Sequence, residues 1–201
     1  MISKNREERV MVFIDLRNVL KSVEQLGVPN IKIDFESIVD ELVGERRLIG
    51  AYVFDGIESE HDKCAAFHDT LRSRGFRVVV REGHVREDGE QKEVDVAMAC
   101  EILSHAYRDN YDTAIIVSGD RDFRPSIEHI QAIGRRAEVA GFSRSMSWKL
   151  SRGCDVFHNL DPVPLLYRIR TAEESCAEEL VTDEEMAEIS QAITLWSEAM
   201  A

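Results

Sequence analysis

The chain has 201 residues, 44% hydrophobic and 31% charged, with a formal net charge of −13. These proportions describe a soluble globular protein with one well-filled domain and an appendage. They exclude a membrane span, because the longest apolar runs are too short. Met1 to Arg9 lacks the apolar core of a secretory signal. Cys64, Cys100, Cys154 and Cys176 are scattered without a CxxC pair, which fits reduced cytosolic thiols better than a disulfide frame or a zinc site. The expectation is a cytoplasmic protein.

Val10 to Ile14 is a compact apolar run ending in Asp15 and reads as a central strand. Leu16 to Leu26 holds a short helix, broken at Gly27 and Pro29. Asp34 caps a second helix, with Phe35, Ile38, Val39, Leu42 and Val43 on one face and Gly44 at its end. Leu48 to Phe54 is the next strand, and Asp55-Gly56 reads as a turn pair. Ser59 to Arg74 is a helix with Cys64, Phe67 and Leu71 inward. Phe76 to Val80 is a strand, and Arg81 to Glu93 a polar, charged loop.

Val94 to Tyr107 is strongly helical, with Val94, Met98, Ile102 and Leu103 inward. Thr113 to Val117 is an apolar strand that stops at Ser118-Gly119. Phe123 to Ile133 is a helix, Gly134 to Ala140 carries a strand, Ser145 to Ser151 a short helix, and Val156-Phe157 a last strand. Strands alternating with helices imply a mostly parallel sheet covered on both faces. The domain is expected over residues 1–165.

Residues 166–201 form an acidic C-terminal extension. Within it, 171–201 hold nine Asp/Glu and no Lys/Arg, which leaves 29 acids against 25 bases in the body. Thr182 and Glu185 form a capping-box signature. Met186, Ile189, Ile193 and Trp196 then mark a helix over about 183–199. It reads either as a helix packed on the domain or as an oligomer contact, a homodimer being the simplest. An acidic cover for a basic groove is a further reading.

Acids stand where ligands bind in open α/β sheets, outside the carboxyl ends of the strands. Asp15, Asp55 and Asp120 end strands, Asp122 follows at once, and Asp95 opens the long helix. Taken singly, Asp15 and Asp122 read as helix caps, and Asp95 as a favourable first-turn charge. Taken together, Asp15, Asp95, Asp120 and Asp122 would repel one another without a cation between them. Glu101 lies one to two turns further along its helix. Hard oxygens without His or Cys suit Mg²⁺ or Mn²⁺.

These residues carry a family resemblance. Val12-Phe13-Ile14-Asp15-Leu16-Arg17-Asn18 resembles the opening strand and D-x-x-N of the NYN domains, in the PIN-like nuclease superfamily. Lys92-Glu93-Val94-Asp95-Val96 is similar to that family's K-x-V-D-V, and Ser118-Gly119-Asp120-Arg121-Asp122-Phe123 to its S-G-D-x-D-F. Ser147 to Phe157, with Leu150 and Asp155, resembles its closing S-x-x-L…D-x-F. Order and spacing resemble the LabA-like branch. The resemblance implies a PIN-like three-layer α/β/α sandwich and a divalent-metal site acting on RNA phosphodiesters. It implies Asp15, Asp95, Asp120 and Asp122 as metal-binding catalytic acids, with Asn18 and Ser118 in support. Glu101 stands where many members have Asp.

Arg17, Lys92, Arg121 and Arg124 are candidate phosphate contacts. Arg135, Arg136, Arg144, Lys149 and Arg152 would add to a basic rim if they share it, though ordinary solvated faces are an equal reading. His84 is the one histidine placed to donate a proton. Trp148 and Phe142 offer rings for stacking a base, with core packing the simpler expectation. The function read here is a divalent-metal-dependent ribonuclease, an endonuclease using metal-activated water. The alternative is a non-catalytic RNA-binding or regulatory module on the same fold.

Overall fold

Arg9–Asp15 forms the strand (β1) around which the sheet is laid. Its side chains alternate between the two faces, as the pleat requires. Val10, Val12 and Ile14 enter one buried cluster, and Met11 and Phe13 enter the other. A strand apolar on both faces belongs in the middle of a covered parallel sheet, and β1 lies there.

The computed structural model describes residues 7–25, 31–57, 64–82, 92–161 and 166–168. After β1 come α1 (Leu16–Glu24), β2 (Ile31–Ile33), α2 (Phe35–Val43), β3 (Arg47–Ile57), α3 (Ala65–Ser73) and β4 (Arg77–Glu82). Next are α4 (Lys92–Tyr107), β5 (Thr113–Val117), a 3-10 turn (Arg121–Phe123) and α5 (Arg124–Ala132). The described chain closes with β6 (Arg136–Gly141), α6 (Trp148–Gly153), β7 (Val156–Asn159) and β8 (Leu166–Arg168). Six strands form one parallel sheet in the order β4-β3-β1-β5-β6-β7. A separate antiparallel pair joins β2 to β8. The helix expected over 183–199, and His84 in the loop before α4, lie outside the described residues.

Helices cover both faces, giving three layers. Leu16, Val19 and Val23 of α1, the apolar stripe of α2 and Leu71 of α3 pack on one side. Val94, Met98 and Ile102 of α4, Ile127 and Ile130 of α5 and Leu150 of α6 pack on the other. Asp34 starts α2 by accepting from the backbone N–H groups of Glu36 and Ser37 at 3.1 and 3.2 Å. Gly44 ends it at φ 58°, a conformation that costs glycine little. Among the described residues no helix is long and apolar enough to cross a membrane.

Three local expectations need correction. In α3 the inward residues are His68 and Leu71, while Phe67 is 39% exposed. Asp55 and Gly56 lie inside β3, not at a turn beyond it. Arg135 and Arg136 sit at the start of β6, the edge opposite the strand exits. There Arg135 pairs with Asp109 and Asp112, and Arg136 with Glu138.

Candidate active site

The chain order of the sheet has one reversal. From β1 it runs out through β3 to β4, then returns to β5 on the other flank of β1 and continues to β6 and β7. Ligands of open α/β sheets bind in the crevice that such a switch opens beyond the strand ends. The two strands flanking this crevice end in Asp15 and in Ser118-Gly119-Asp120. The register pairs Ile14 with Val117, so the next residues on each strand, Asp15 and Ser118, stand side by side.

Their contacts are specific. Ser118 Oγ donates to Asp15 Oδ2 at 3.0 Å, and the Asn18 backbone N–H donates to Asp15 Oδ1 at 3.1 Å. Asp15 is therefore the N-cap of α1 as well as a strand exit. Asn18 Oδ1 accepts from the Gly119 N–H at 2.9 Å, which ties α1 to the loop after β5. Ser118 Oγ also accepts from the Asp120 N–H at 3.1 Å. Asp120 Oδ1 in turn accepts from the Asp122 N–H at 2.9 Å and caps the 3-10 turn.

Asp15 is only 6% exposed. Burial pushes its carboxyl up to about 6, the Asn18 and Ser118 hydrogen bonds pull against that, and the charges of Asp120 and Asp55 add to the rise. Asp15 and Asp120 thus sense each other electrostatically. Asp122 stands further out, its side chain 58% exposed and its Oδ1 3.9 Å from Arg121 Nε. Asp95 lies in the first turn of α4. That helix packs against the 3-10 turn, and the neighbouring Val94 shares a buried cluster with Phe123. Glu101 faces His105, with 3.4 Å between Oε2 and Nε2.

The cations are placed unequally. Arg17 donates from Nε to Asp55 Oδ1 at 3.1 Å and from Nη2 to the Gly56 carbonyl. Arg124 is paired with Glu128 at 2.7 Å. Arg121 is exposed, and the side chain of Lys92 lies outside the described residues.

A second buried acid lies beside this group. Asp55 is 3% exposed, and its Oδ2 is 2.7 Å from Nε2 of the equally buried His68. Asp55, His68 and Arg17 come from three separate elements. An Asp-Gly pair offers the local signature of a turn, so only the tertiary contacts reveal this cluster.

The loop Phe142 to Ser147 closes the other wall. The Ser147 N–H donates to the Gly119 carbonyl at 3.0 Å, and Ser145 Oγ lies 2.6 Å from Ser22 Oγ. Gly119 is required by this approach. A Cβ there would stand 2.9 Å from the Ser145 carbonyl carbon and 3.3 Å from Met146 Cα. Both are backbone atoms and cannot swing away. Gly119→Ala is expected to destabilise the protein by about 1–3 kcal/mol through overpacking. Thermal unfolding checks this, and a variant as stable as the wild type would contradict the close approach.

The donor set fits a hard divalent cation by chemistry: carboxylate oxygens, no sulfur, and two acids whose mutual repulsion a cation would relieve. Among the described residues no group of three His, Cys, Asp or Glu side chains is arranged to hold a metal by itself. Mg²⁺ commonly takes only one or two carboxylates and completes its shell with waters and substrate phosphate.

The NYN domain family model matches residues 9–161. This chain belongs to the NYN domain family. The match runs from the start of β1 to Asp161, so this NYN domain includes the whole six-stranded sheet. NYN domains are PIN-like, and the parallel sheet with helices on both faces is the sandwich expected of that class. The chain is similar to the low amplitude and bright protein LabA of Synechococcus elongatus, at 23% identity over 168 residues, covering 79% of this chain and 87% of that protein. It is also similar to the crystal structure of a protein of unknown function from Vibrio parahaemolyticus. There the identity is 26% and the TM-score 0.64, with 80% of this chain and 97% of that chain covered.

Proposed function

We propose that this NYN domain is a divalent-metal-dependent ribonuclease that cleaves RNA internally. The observation that carries the reading is the pairing of Asp15 with Ser118 and Asp120 at the switch point of the sheet, where burial and like charge hold Asp15 up to about 6. Membership of a PIN-like nuclease family supports it.

In this reading Asp15 and Asp120 hold Mg²⁺ or Mn²⁺, with Asp122 and Asp95 approaching from the rim and from α4. When bound, the ion would activate water and neutralise charge developing at phosphorus. Ser118 fixes the Asp15 carboxylate and the Asp120 backbone with one hydroxyl. Asn18 holds the Gly119 backbone and so sets the spacing of the two strand ends. Arg121 stands exposed at the mouth, loosely paired with Asp122 at 3.9 Å, within reach of a phosphate. Arg17 is held by Asp55 and the Gly56 carbonyl, so its guanidinium is oriented rather than mobile.

Cleavage of unstructured RNA tests this in Mg²⁺, in Mn²⁺ and in EDTA. The wild type is expected to cut only with metal. Asp120→Asn is expected to lose at least about a hundredfold, since even outer-shell partners of a metal are worth 10–100-fold. Equal cleavage by both proteins would remove Asp120 from the site. A second reading, RNA binding without turnover, is favoured by the described residues, among which no three His, Cys, Asp or Glu side chains are grouped to hold a metal. It predicts a bound oligonucleotide that survives in Mn²⁺.

A further inference from the structure

Trp148 opens α6 and is 64% exposed, against the expectation that it packs in the core. A large apolar ring left in water is unfavourable, and this one is held there. Two residues on, Leu150 is fully buried in the cluster that α5 also enters, and α6 packs on α5. That anchor fixes the short helix and turns Trp148 outward. One residue before it, the Ser147 N–H is bonded to the Gly119 carbonyl, next to Asp120. Trp148 therefore follows directly on the segment that walls the candidate site, on a helix packed against the 3-10 turn of Asp122.

Its neighbours are cations. Lys149 Nζ lies 5.7 Å and Arg152 Cζ 5.8 Å from the ring centroid. Among the described residues neither makes an ion pair, whereas Arg9, Arg46, Arg124, Arg135 and Arg136 all do. Residues 139–154 hold three Lys/Arg and no Asp or Glu, in a chain whose net charge is −13. This is the longest acid-free run in the sequence, and it adjoins the site.

We infer that Trp148, Lys149 and Arg152 form a platform on which one base of a single-stranded RNA stacks while its flanking phosphates meet the two cations. The inference rests on the reading of the site as one that acts on RNA. Every base has a π-face, so such a platform tolerates sequence, and the cations add backbone attraction. A base over the ring takes the place of one cation, whose side chain is long enough to reach a phosphate. The polar neighbours Ser147 and Ser151 give an apolar protein partner little to bury. In a duplex the bases are already stacked on one another, so the platform selects unpaired strands.

Binding of a fluorescein-labelled oligouridylate in EDTA, read by anisotropy, separates this from the chemistry. Trp148→Ala is expected to weaken binding roughly 10- to 100-fold, and Trp148→Phe to stay within about threefold of the wild type. In Trp196→Phe, Trp148 is the one remaining tryptophan, and its emission is expected to quench on adding the oligonucleotide. An RNA duplex of equal length is expected to bind more weakly than the single strand. Equal affinity of the wild type and Trp148→Ala overturns the platform, as do absent quenching, a duplex that binds as well, or no binding by the wild type. Binding through Trp148 without cleavage in Mn²⁺ would instead overturn the nuclease reading alone. Cleavage with no effect of Trp148→Ala on affinity would overturn the platform alone.

Discussion

Asp15→Asn is expected to raise the stability of the metal-free protein at pH 7 by on the order of 1–3 kcal/mol, while lowering RNA cleavage. Asp15 is buried at the end of β1, and its carboxyl is raised from 3.8 to about 6 by burial, with the charges of Asp120 and Asp55 adding to the rise. A carboxyl whose value is higher folded than unfolded favours the fold when protonated. That contribution is complete below about pH 4 and is lost as pH rises towards about 6. At pH 7 the folded state therefore holds an anion it would rather protonate. Asparagine removes the charge and keeps the shape. Its oxygen still caps α1 through the Asn18 N–H, a position where Asn and Asp rank together. Its amide still reaches Ser118 Oγ. Unfolding at pH 7 and at pH 4 checks the sign: the advantage of Asp15→Asn should shrink at the lower pH. A variant less stable than the wild type at pH 7 would mean that Asp15 is a structural cap and nothing more.

Glu138→Gln is expected to destabilise the fold by about 3–5 kcal/mol, the cost of breaking a buried charge pair from one side. Glu138 lies inside β6 at 2% exposure. Its Oε1 accepts from Arg46 Nη1 and from Arg136 Nε, both at 2.9 Å. Its Oε2 accepts from Arg46 Nη2 at 3.0 Å and lies 2.9 Å from His158 Nε2. Burial pushes its carboxyl up, but the bonds from His158 and Arg46 outweigh burial and bring it to about 2. A value lower folded than unfolded means that the stabilisation is present above about 4.5 and drains away as pH falls towards 2. The gap between wild type and Glu138→Gln should therefore close on acidification. Denaturant unfolding at pH 7 and at pH 3 measures it. A loss under about 1 kcal/mol at pH 7 would show that the cluster is no better than a hydrogen-bonded neutral group.

Much of this architecture was legible because it is written locally. The apolar run of β1 and the stop at Ser118-Gly119 mark two strand ends by local sequence alone. Asp34 and Gly44 bounded α2 by capping chemistry that needs no tertiary context. The meeting of Asp15 with Ser118 and Asp120 was legible in outline, since strand-end residues of neighbouring strands point to one sheet edge. What stayed hidden depends on partners far away in sequence. Asp55 reads as half of a turn until Arg17 and His68 arrive from α1 and α3. His68 displaces Phe67 from the inward face because a buried carboxylate needs a donor more than the core needs another ring. Arg135 and Arg136 look like the start of a basic rim, but a parallel strand has two ends and they occupy the far one. Trp148 is exposed although large aromatic residues usually pack, because Leu150 takes the inward position of so short a helix. The strands β2 and β8 are three residues each, too short to show a period.

Thermal unfolding in the presence and absence of Mn²⁺, run on the wild type and on Asp15→Asn, bears most directly on the claim that the strand-end acids share a cation. A ligand that binds only the folded state raises its stability by mass action, about 2.7 kcal/mol at a hundred times its dissociation constant. The wild type should gain several degrees with Mn²⁺, and Asp15→Asn should start higher and gain little. An equal gain in both proteins, or none in the wild type, would contradict the account.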